Sequence, residues 1–578
     1  MPSPSGTLAA RLAPAFDAVS PGADPVLRPS ALDGVDFQAN GALAAAKRLG
    51  RAPAEVAAEV VAAADLTGVC RSVSVAAQGF INLTLSEEWI ASQVAELAGD
   101  PRLGVPLAPE PQTVVVDYSG PNVAKEMHAG HLRTTVIGDA ICRLLEHAGH
   151  RVVRENHVGD WGTQFGMLIE HLVDVGEEEA AHELSVGDLD TFYRQARAAF
   201  DASEQFKERS RKRVVDLQSG DPETLRLWRI LVDQSVAYFQ EVYDKLGVTL
   251  TPEDVVGESF YNDALPAVVD ELAEAGLLVE SDGALCVFPP GFAGRDGEPL
   301  PLIVRKSDGG FGYAATDLAA LRDRFGRLGA DLALYVVGAP QAQHLAMCFA
   351  VANMAGWLPS PERAVHVPFG NMLGADRKMF KTRSGETVKL VDLLDEAVAR
   401  AAAVVAGHGD LSGDEAGEVA RMVGIGAVKY ADLSTDRVKD YVFDWDRMLS
   451  FDGNTGPYLQ YARVRCLSIF RRASLDPATH LGAAPPVVLG EPAERDLALA
   501  LLQLPDAVEA TIGSWSPHRL CAYLFDLAGL YTAFFESCPV LRAPDPAVRD
   551  SRLLLCALTA EVLGRGLTLL GIETPERM

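Results

Sequence analysis

The sequence offers no framework for disulfides or a zinc site. Its eight cysteines, Cys70, Cys142, Cys286, Cys348, Cys466, Cys521, Cys538 and Cys556, are scattered and form no CxxC pair. Buried thiols in a reducing compartment are expected. No apolar run reaches the roughly 18 residues of a membrane-spanning helix, so no membrane partner is expected. The opening stretch, MPSPSGTLAARLAPAF, lacks the basic region and apolar block of a secretory leader, and a cytoplasmic location is expected. No repeat period is visible. Positive charge is also scarce: 51 Lys and Arg stand against 79 Asp and Glu, a net charge of −28. That balance argues against a broad basic face for nucleic acid. RNA binding stays open, because local positive potential and stacking surfaces suffice for it.

What is present is an ample apolar content, 48% over 578 residues, with Leu- and Ala-rich helical patterning. Roughly three or four domains and a helix-rich α/β class follow. Residues 1–107 hold helical stretches at Ala42–Leu49 and Pro53–Ala64, then an alternating segment, Arg71–Leu83. Pro106–Pro111 reads as a linker. Residues 108–400 alternate short β-branched runs with helical patterns, the mark of a parallel sheet. The candidate strands are Thr113–Asp117, Arg151–Glu155, Leu302–Lys306, Leu332–Val337 and Ala364–Pro368. A charged helical insertion interrupts them over about 167–300. Its most basic run, Glu204–Arg213, reads as a solvated helix face, with a basic patch for RNA around Lys207–Arg213 as the alternative. Residues 401–578 are almost purely helical, a bundle.

Two segments carry chemistry. In the first, Val114–Val116 ends in a turn that delivers His128-Ala129-Gly130-His131 to the start of a helix. That helix has a 3.6-period apolar stripe, and Gly149 closes it. Two imidazoles three residues apart share a face at the positive end of the helix dipole. Free N–H groups there favour anions, and Gly130 permits close approach. A capping or packing pair would read the same way. The second is Lys378-Met379-Phe380-Lys381-Thr382-Arg383-Ser384-Gly385, between a strand and the helix Val391–Ala403. Its cations suit a pyrophosphate leaving group, although an ordinary basic loop fits in isolation. The two motifs occur at opposite ends of the same α/β region.

HAGH and KMFK resemble the HIGH and KMSKS signatures of class I aminoacyl-tRNA synthetases. The surrounding segments are similar to one family among these, the arginyl-tRNA synthetases. They are DYSGPNVAKEMHAGHLRTT, GDWGTQFG at Gly159–Gly166, KTRSGETVKLVDLLDEA at Lys381–Ala397, GNTGPYLQYARVR at Gly453–Arg465, and the final LLGIETPERM. The resemblance implies an α/β fold: a Rossmann-like parallel-sheet catalytic domain with a helical insertion, an α+β N-terminal domain and an all-α C-terminal bundle that binds the anticodon. It implies ATP-dependent activation of arginine and its transfer to the 2′-hydroxyl of the terminal adenosine of tRNA(Arg). Magnesium would accompany the ATP phosphates, with no protein ligand named. The enzyme would be a monomer that requires tRNA before activation.

By the same resemblance His128 and His131 would stabilise the α-phosphate, Lys378 and Lys381 would hold the pyrophosphate side, and Lys125 would reach the phosphates. Asp117, Asn122, Tyr313, Asp317 and Gln341 match positions that bind the amino acid. An arginine pocket agrees with the chemistry, since a guanidinium is a flat fork of five donors that carboxylates pair and aromatic rings stack upon. Phe80 and Asn82, in QGFINL, match base-contacting positions at the tRNA elbow. Tyr458, Tyr461 and Arg465 share one helix face suited to anticodon bases, and Met578 matches a residue near the anticodon loop. Phe380 departs from the signature serine. Two alternatives remain: a duplicated arginyl synthetase serving a specialised pathway or inhibitor resistance, and a non-catalytic RNA-binding protein on the same scaffold.

Overall fold

The computed structural model describes residues 3–177, 189–294, 296–378, 380, 388–406 and 411–578. Its centre is a four-stranded parallel sheet. We number strands in chain order: β1 Leu27–Pro29, β2 Phe37–Ala39, β3 Cys70–Val75, β4 Ile81–Leu85, β5 Thr113–Asp117, β6 Arg151–Glu155, β7 Val279–Ser281, β8 Ala284–Val287, β9 Leu302–Arg305, β10 Leu332–Tyr335, β11 Ala364–His366, β12 Met372–Leu373 and β13 Tyr441–Val442. The central sheet has the order β11-β10-β5-β6, with Val115 opposite Ala333 on one side and Val153 on the other.

The VVV run explains the layering. Successive strand side chains point to opposite faces, so Val114 and Val116 join one apolar cluster and Val115 the other. The first face receives the helix Ala129–His147 through Leu132, Val136 and Ile137. The second receives the helices Tyr313–Gly326 and Ala342–Met354 through Leu318, Leu321 and Cys348. From β5 the chain moves outward to β6, then returns to β10 on β5's other side. The strand order therefore reverses between β5 and β10, where open α/β sheets form their ligand crevice.

Three sequence expectations change. Leu302–Lys306 was expected in the parallel sheet, but β9 runs antiparallel to β8 in a separate sheet ordered β7-β8-β9. Its burial alternates, with Leu302 and Val304 covered and Ile303 and Arg305 open, as in a sheet packed on one face only. Among the described residues before 108 there are four helices rather than two, Pro4–Val19 and Glu87–Ala98 being added, around the antiparallel sheet β1-β2-β4-β3. Among the described residues beyond 401 the helices are joined by one short strand, β13, paired with β12. Among the described residues no helix is long and apolar enough to cross a membrane.

The basic run lies on the helix Glu204–Gln218 and is largely matched by acids. Arg209 pairs with Glu170 and Asp174, and Arg213 with Glu170. The N-terminal unit sits on the helical bundle, where Arg495 meets Asp36 at 2.7 Å and Ser5 Oγ donates to Asp506 at 2.6 Å. One apolar cluster is continuous from Leu8 to Ile572.

Candidate active site

At the switch point the carboxyl ends of β5 and β10 enclose a cleft of about 520 Å³. Six residues singled out from the sequence line it together: Asp117, His128, His131, Tyr313, Asp317 and Gln341. Thr134 closes its floor. Its hydroxyl donates to the Val336 carbonyl at 2.6 Å and accepts from the Ser119 N–H at 3.0 Å, joining the helix to both strand ends. The loop between β5 and the helix holds Ser119 at φ 73° and Ala124 at φ 59°. Such left-handed non-glycine residues cost free energy and persist only where the surroundings over-determine them. Here Ser119 Oγ is held 2.8 Å from the Tyr243 hydroxyl, and Asn156 accepts from the Gly120 N–H.

The HAGH turn works as a cap. His128 Nδ1 accepts from the Gly130 N–H at 3.1 Å, and His131 Nδ1 accepts from the His128 N–H at 3.0 Å. A side chain on Gly130 would lie 2.8 Å from the His128 ring. The rings stand 4.0 Å apart. An Nδ1 that accepts carries no proton, so each neutral ring bears its hydrogen on Nε2. Burial drives His131 down to about 3, helped by neighbouring His128, and burial lowers His128 also. Both rings therefore offer Nε2–H donors without positive charge.

On the opposite wall Asp317 Oδ2 accepts from His344 Nε2 at 2.5 Å, a bond that raises the histidine's pKa. Tyr313 stands at the mouth, 75% exposed. Asp117 has one oxygen taken by the buried Arg324, at 2.7 Å, while Arg324 Nε donates to Glu155 at 2.6 Å and stacks over Tyr335. Sequence reasoning missed both Arg324 and His344. Arg324 was detectable as a charge three residues after Leu321 on the helix's apolar stripe; His344 left no such signal. Burial pushes Glu258 up to about 7, with Asp160 and Asp317 adding to the rise and His157 opposing it.

Asn122, Lys125 and Lys378 are exposed and do not line the cleft. Asn122 pairs its backbone with Gly159, where a side chain would meet its Oδ1 at 2.3 Å, so the SGPN and GDWG segments interlock. Lys125 Nζ lies 4.8 Å from the Tyr193 ring centre. Lys378 ends a turn in which its carbonyl accepts from the Gly374 N–H at 2.8 Å. Lys381 lies outside the described residues. Phe380, the departure from the signature, stacks 4.7 Å from Phe443, which meets Trp445 edge-on. Its ring anchors one end of the KMFK segment. Beyond residue 387 the chain binds the other motif: the Ala129 N–H donates to Val388 and the Leu390 N–H to Met127.

The remaining residues sit apart from the cleft. Phe80 is half-buried at the turn between β3 and β4, and Asn82 on β4 accepts from Gln38 Nε2 at 2.7 Å. On the helix Gly456–Ala473, Tyr461 is 43% exposed, and the Arg465 guanidinium lies 5.9 Å from its ring and 4.6 Å from that of Phe535. Tyr458 is 5.7 Å from Phe525. Met578 packs against the small cluster of Ala401, Val405 and Val419.

Three family models match in succession: the arginyl tRNA synthetase N terminal domain over 6–85, the catalytic domain of tRNA synthetases class I (R) over 93–445, and the DALR anticodon binding domain over 459–578. An arginine–tRNA ligase of Thermobifida fusca is 57% identical over 96% of this chain and 95% of its own length. One of Cellvibrio japonicus is 50% identical over 94% of each. The crystal structure of arginyl-tRNA synthetase from Plasmodium falciparum superposes with a TM-score of 0.85 at 29% identity, covering 100% of both chains. Half or more of its residues shared with such relatives, along nearly its whole length, mean that the chain belongs to the arginyl-tRNA synthetase family.

Proposed function

We propose that the chain is an arginine–tRNA ligase whose two half-reactions run in the cleft between β5 and β10. The observation that carries the reading is the pairing, in one cleft, of two uncharged Nε2–H donors with an acidic wall at Asp317. Arginine's guanidinium docks against Asp317, with Tyr313 over its plane and Gln341 and the open oxygen of Asp117 beside it. Its carboxylate attacks the α-phosphorus of ATP in line, and pyrophosphate leaves. His128 and His131 donate to the α-phosphoryl oxygens as charge builds, a stabilisation that neutral, pre-oriented donors supply without reorganisation. Lys378, with Lys381 and Lys125, attends the departing pyrophosphate. In the second step the 2′-hydroxyl of the terminal adenosine attacks the adenylate carbonyl and AMP leaves.

Magnesium enters with the ATP phosphates as part of that substrate. The Asp317, His344 and Cys348 cluster offers a thiol and an imidazole, a set unsuited to a hard cation, and no step is assigned to a protein-held metal. Phe80 and Asn82 take unpaired bases of the tRNA elbow. Tyr458, Tyr461, Arg465 and Met578 form the anticodon face, where aromatic rings and a guanidinium suit stacking. The family resemblance implies a monomer that works in the cytoplasm. Arginine-dependent ATP–pyrophosphate exchange, measured with and without tRNA(Arg), tests the reading. Exchange is expected with tRNA present; its absence under every condition overturns the assignment.

A further inference from the structure

Arg133 lies two residues beyond His131 and is 1% exposed. Its Nε meets Asp432, equally buried on the helix Gly413–Leu433, at 3.1 Å. Its Nη1 donates to the Lys439 carbonyl at 3.0 Å. The guanidinium also stands 5.9 Å from the Phe369 ring, which lines the cleft, and 5.2 Å from Tyr441 of β13. One side chain thus ties the HAGH helix to the cleft wall, to the β12–β13 ladder that leads into KMFK, and to the helical bundle.

Stability does not explain a charge in this place. Desolvating two ions costs about as much as their attraction returns, and an apolar pair of similar volume is often as good. Arg133 Nη2 has no partner among the described residues, a further cost. The bundle end of the link is stiff. The helix Gly413–Leu433 meets the tyrosine-bearing helix Gly456–Ala473 so closely that a side chain on Gly456 would lie 2.8 Å from the Gly426 carbonyl. Tyr430 donates to Asn454 at 2.6 Å across the same junction. A second contact runs in parallel. Lys429, one turn before Asp432, donates to the Leu246 carbonyl, and Asp139 of the HAGH helix faces it across Gly571.

We propose that Arg133 is a positioning residue which, through Asp432, sets the placement of His128 and His131 according to what occupies the helix carrying Tyr458 and Tyr461. RNA seated on the bundle is then felt at the ATP-facing histidines through two packed helices and one ion pair. The inference rests on the ligase reading above.

The test uses the full chain and the double variant Arg133→Met with Asp432→Leu, which removes both charges at once and leaves no buried charge unpaired. Arg133→Lys is a second, milder variant. Exchange turnover is measured at saturation with tRNA(Arg) and with a tRNA(Arg) bearing substituted anticodon bases, with tRNA affinity measured separately. In the wild-type chain the substituted tRNA, though saturating, is expected to support at least fivefold slower exchange. In the double variant turnover is expected to fall tenfold or more, the ratio between the two tRNAs to approach one, and tRNA affinity to stay within threefold. A purely structural role would slow both tRNAs equally and preserve the ratio. A preserved ratio, full turnover, or a wild-type ratio of one overturns the proposal. A wild-type chain with no arginine-dependent exchange fails the ligase reading instead, which the wild-type control alone reveals.

Discussion

A histidine that caps a helix through Nδ1 has only its Nε2–H left to donate, and both histidines of HAGH are in that position. Capping and the proposed catalytic role are therefore separable at His128. Asparagine can accept from the Gly130 N–H as a cap but has no donor at the Nε2 position. His128→Asn is expected to keep the urea midpoint near wild type, a change within about 0.5 kcal/mol, while exchange turnover falls by a hundredfold or so, roughly 2–3 kcal/mol of lost transition-state stabilisation. His131→Ala removes the cap and the donor together. It is expected to cost about 1 kcal/mol of stability as well as roughly 2–4 kcal/mol in the transition state. Denaturation and exchange assays on both variants check this, and equal losses in the two would sink the division of labour. The opposite wall responds to pH. Glu258 loses its proton near pH 7, and His344, raised by Asp317, loses its proton above its usual value. Each loss makes the surroundings of Asp317 more negative, so arginine should bind more tightly as pH rises from 6 to 8, by roughly three- to tenfold. Calorimetric titration of arginine across that range reads the effect, and Glu258→Gln should flatten it. Affinity that weakens with rising pH would remove these groups from arginine binding.

At the scale of elements, legibility tracked how many faces an element buries. The run Val114–Asp117 is covered on both sides, and its β-branched sequence showed it plainly. The helix after HAGH announced itself by its stripe, and Gly149, at φ 87°, ends it where its sequence position predicts. Strand β9 was legible as a strand but not as to its sheet, because periodicity carries no information about a partner. The helix Pro4–Val19 was not among the expected elements; Ser3 caps it, and Leu8, Leu12 and Phe16 bury one face. Around the cleft, residues in quotable motifs were found, whereas His344 on its wall, and Arg324 and Glu258 outside its lining, act through neighbours far away in sequence. Phe380 shows how an element explains a departure from a signature. Serine at that position has no ring to set against Phe443, and an aromatic pair is worth about 0.5–1.5 kcal/mol beyond its buried area. Phe380→Ala is expected to release the KMFK segment, speeding proteolytic cleavage there and raising the KM for ATP several-fold. The melting temperature should move little, by less than about 3 °C, because the contact lies at the rim of a large core. A large drop in melting temperature with an unchanged KM would place Phe380 in the core instead.

At the scale of the whole molecule, a chain of net charge −28 must hold a polyanion. The obvious basic helix does not solve this, since Arg209 and Arg213 spend their charge on Glu170 and Asp174. Lys245 and Arg226 are likewise matched, by Asp395 and by Glu177 with Glu223. Cations paired in this way neutralise few phosphates. The proposed RNA faces are instead short in charge and rich in rings and amides: Phe80 and Asn82 at one end, Tyr458, Tyr461 and the Arg465 stack at the other. Binding that rests on stacking and hydrogen bonds releases few counterions, so its salt dependence should be shallow. Each phosphate contact contributes about −0.9 to the slope of log affinity against log salt on duplex and about −0.7 on single strands. Three or four such contacts predict a slope near −3 for tRNA(Arg), measured by filter binding or fluorescence between 50 and 300 mM salt. Tyr461→Ala should then weaken binding by roughly 1–3 kcal/mol and leave that slope unchanged. A wild-type slope of −6 or steeper would mean that a broad basic face exists after all, and that the acidic total conceals it.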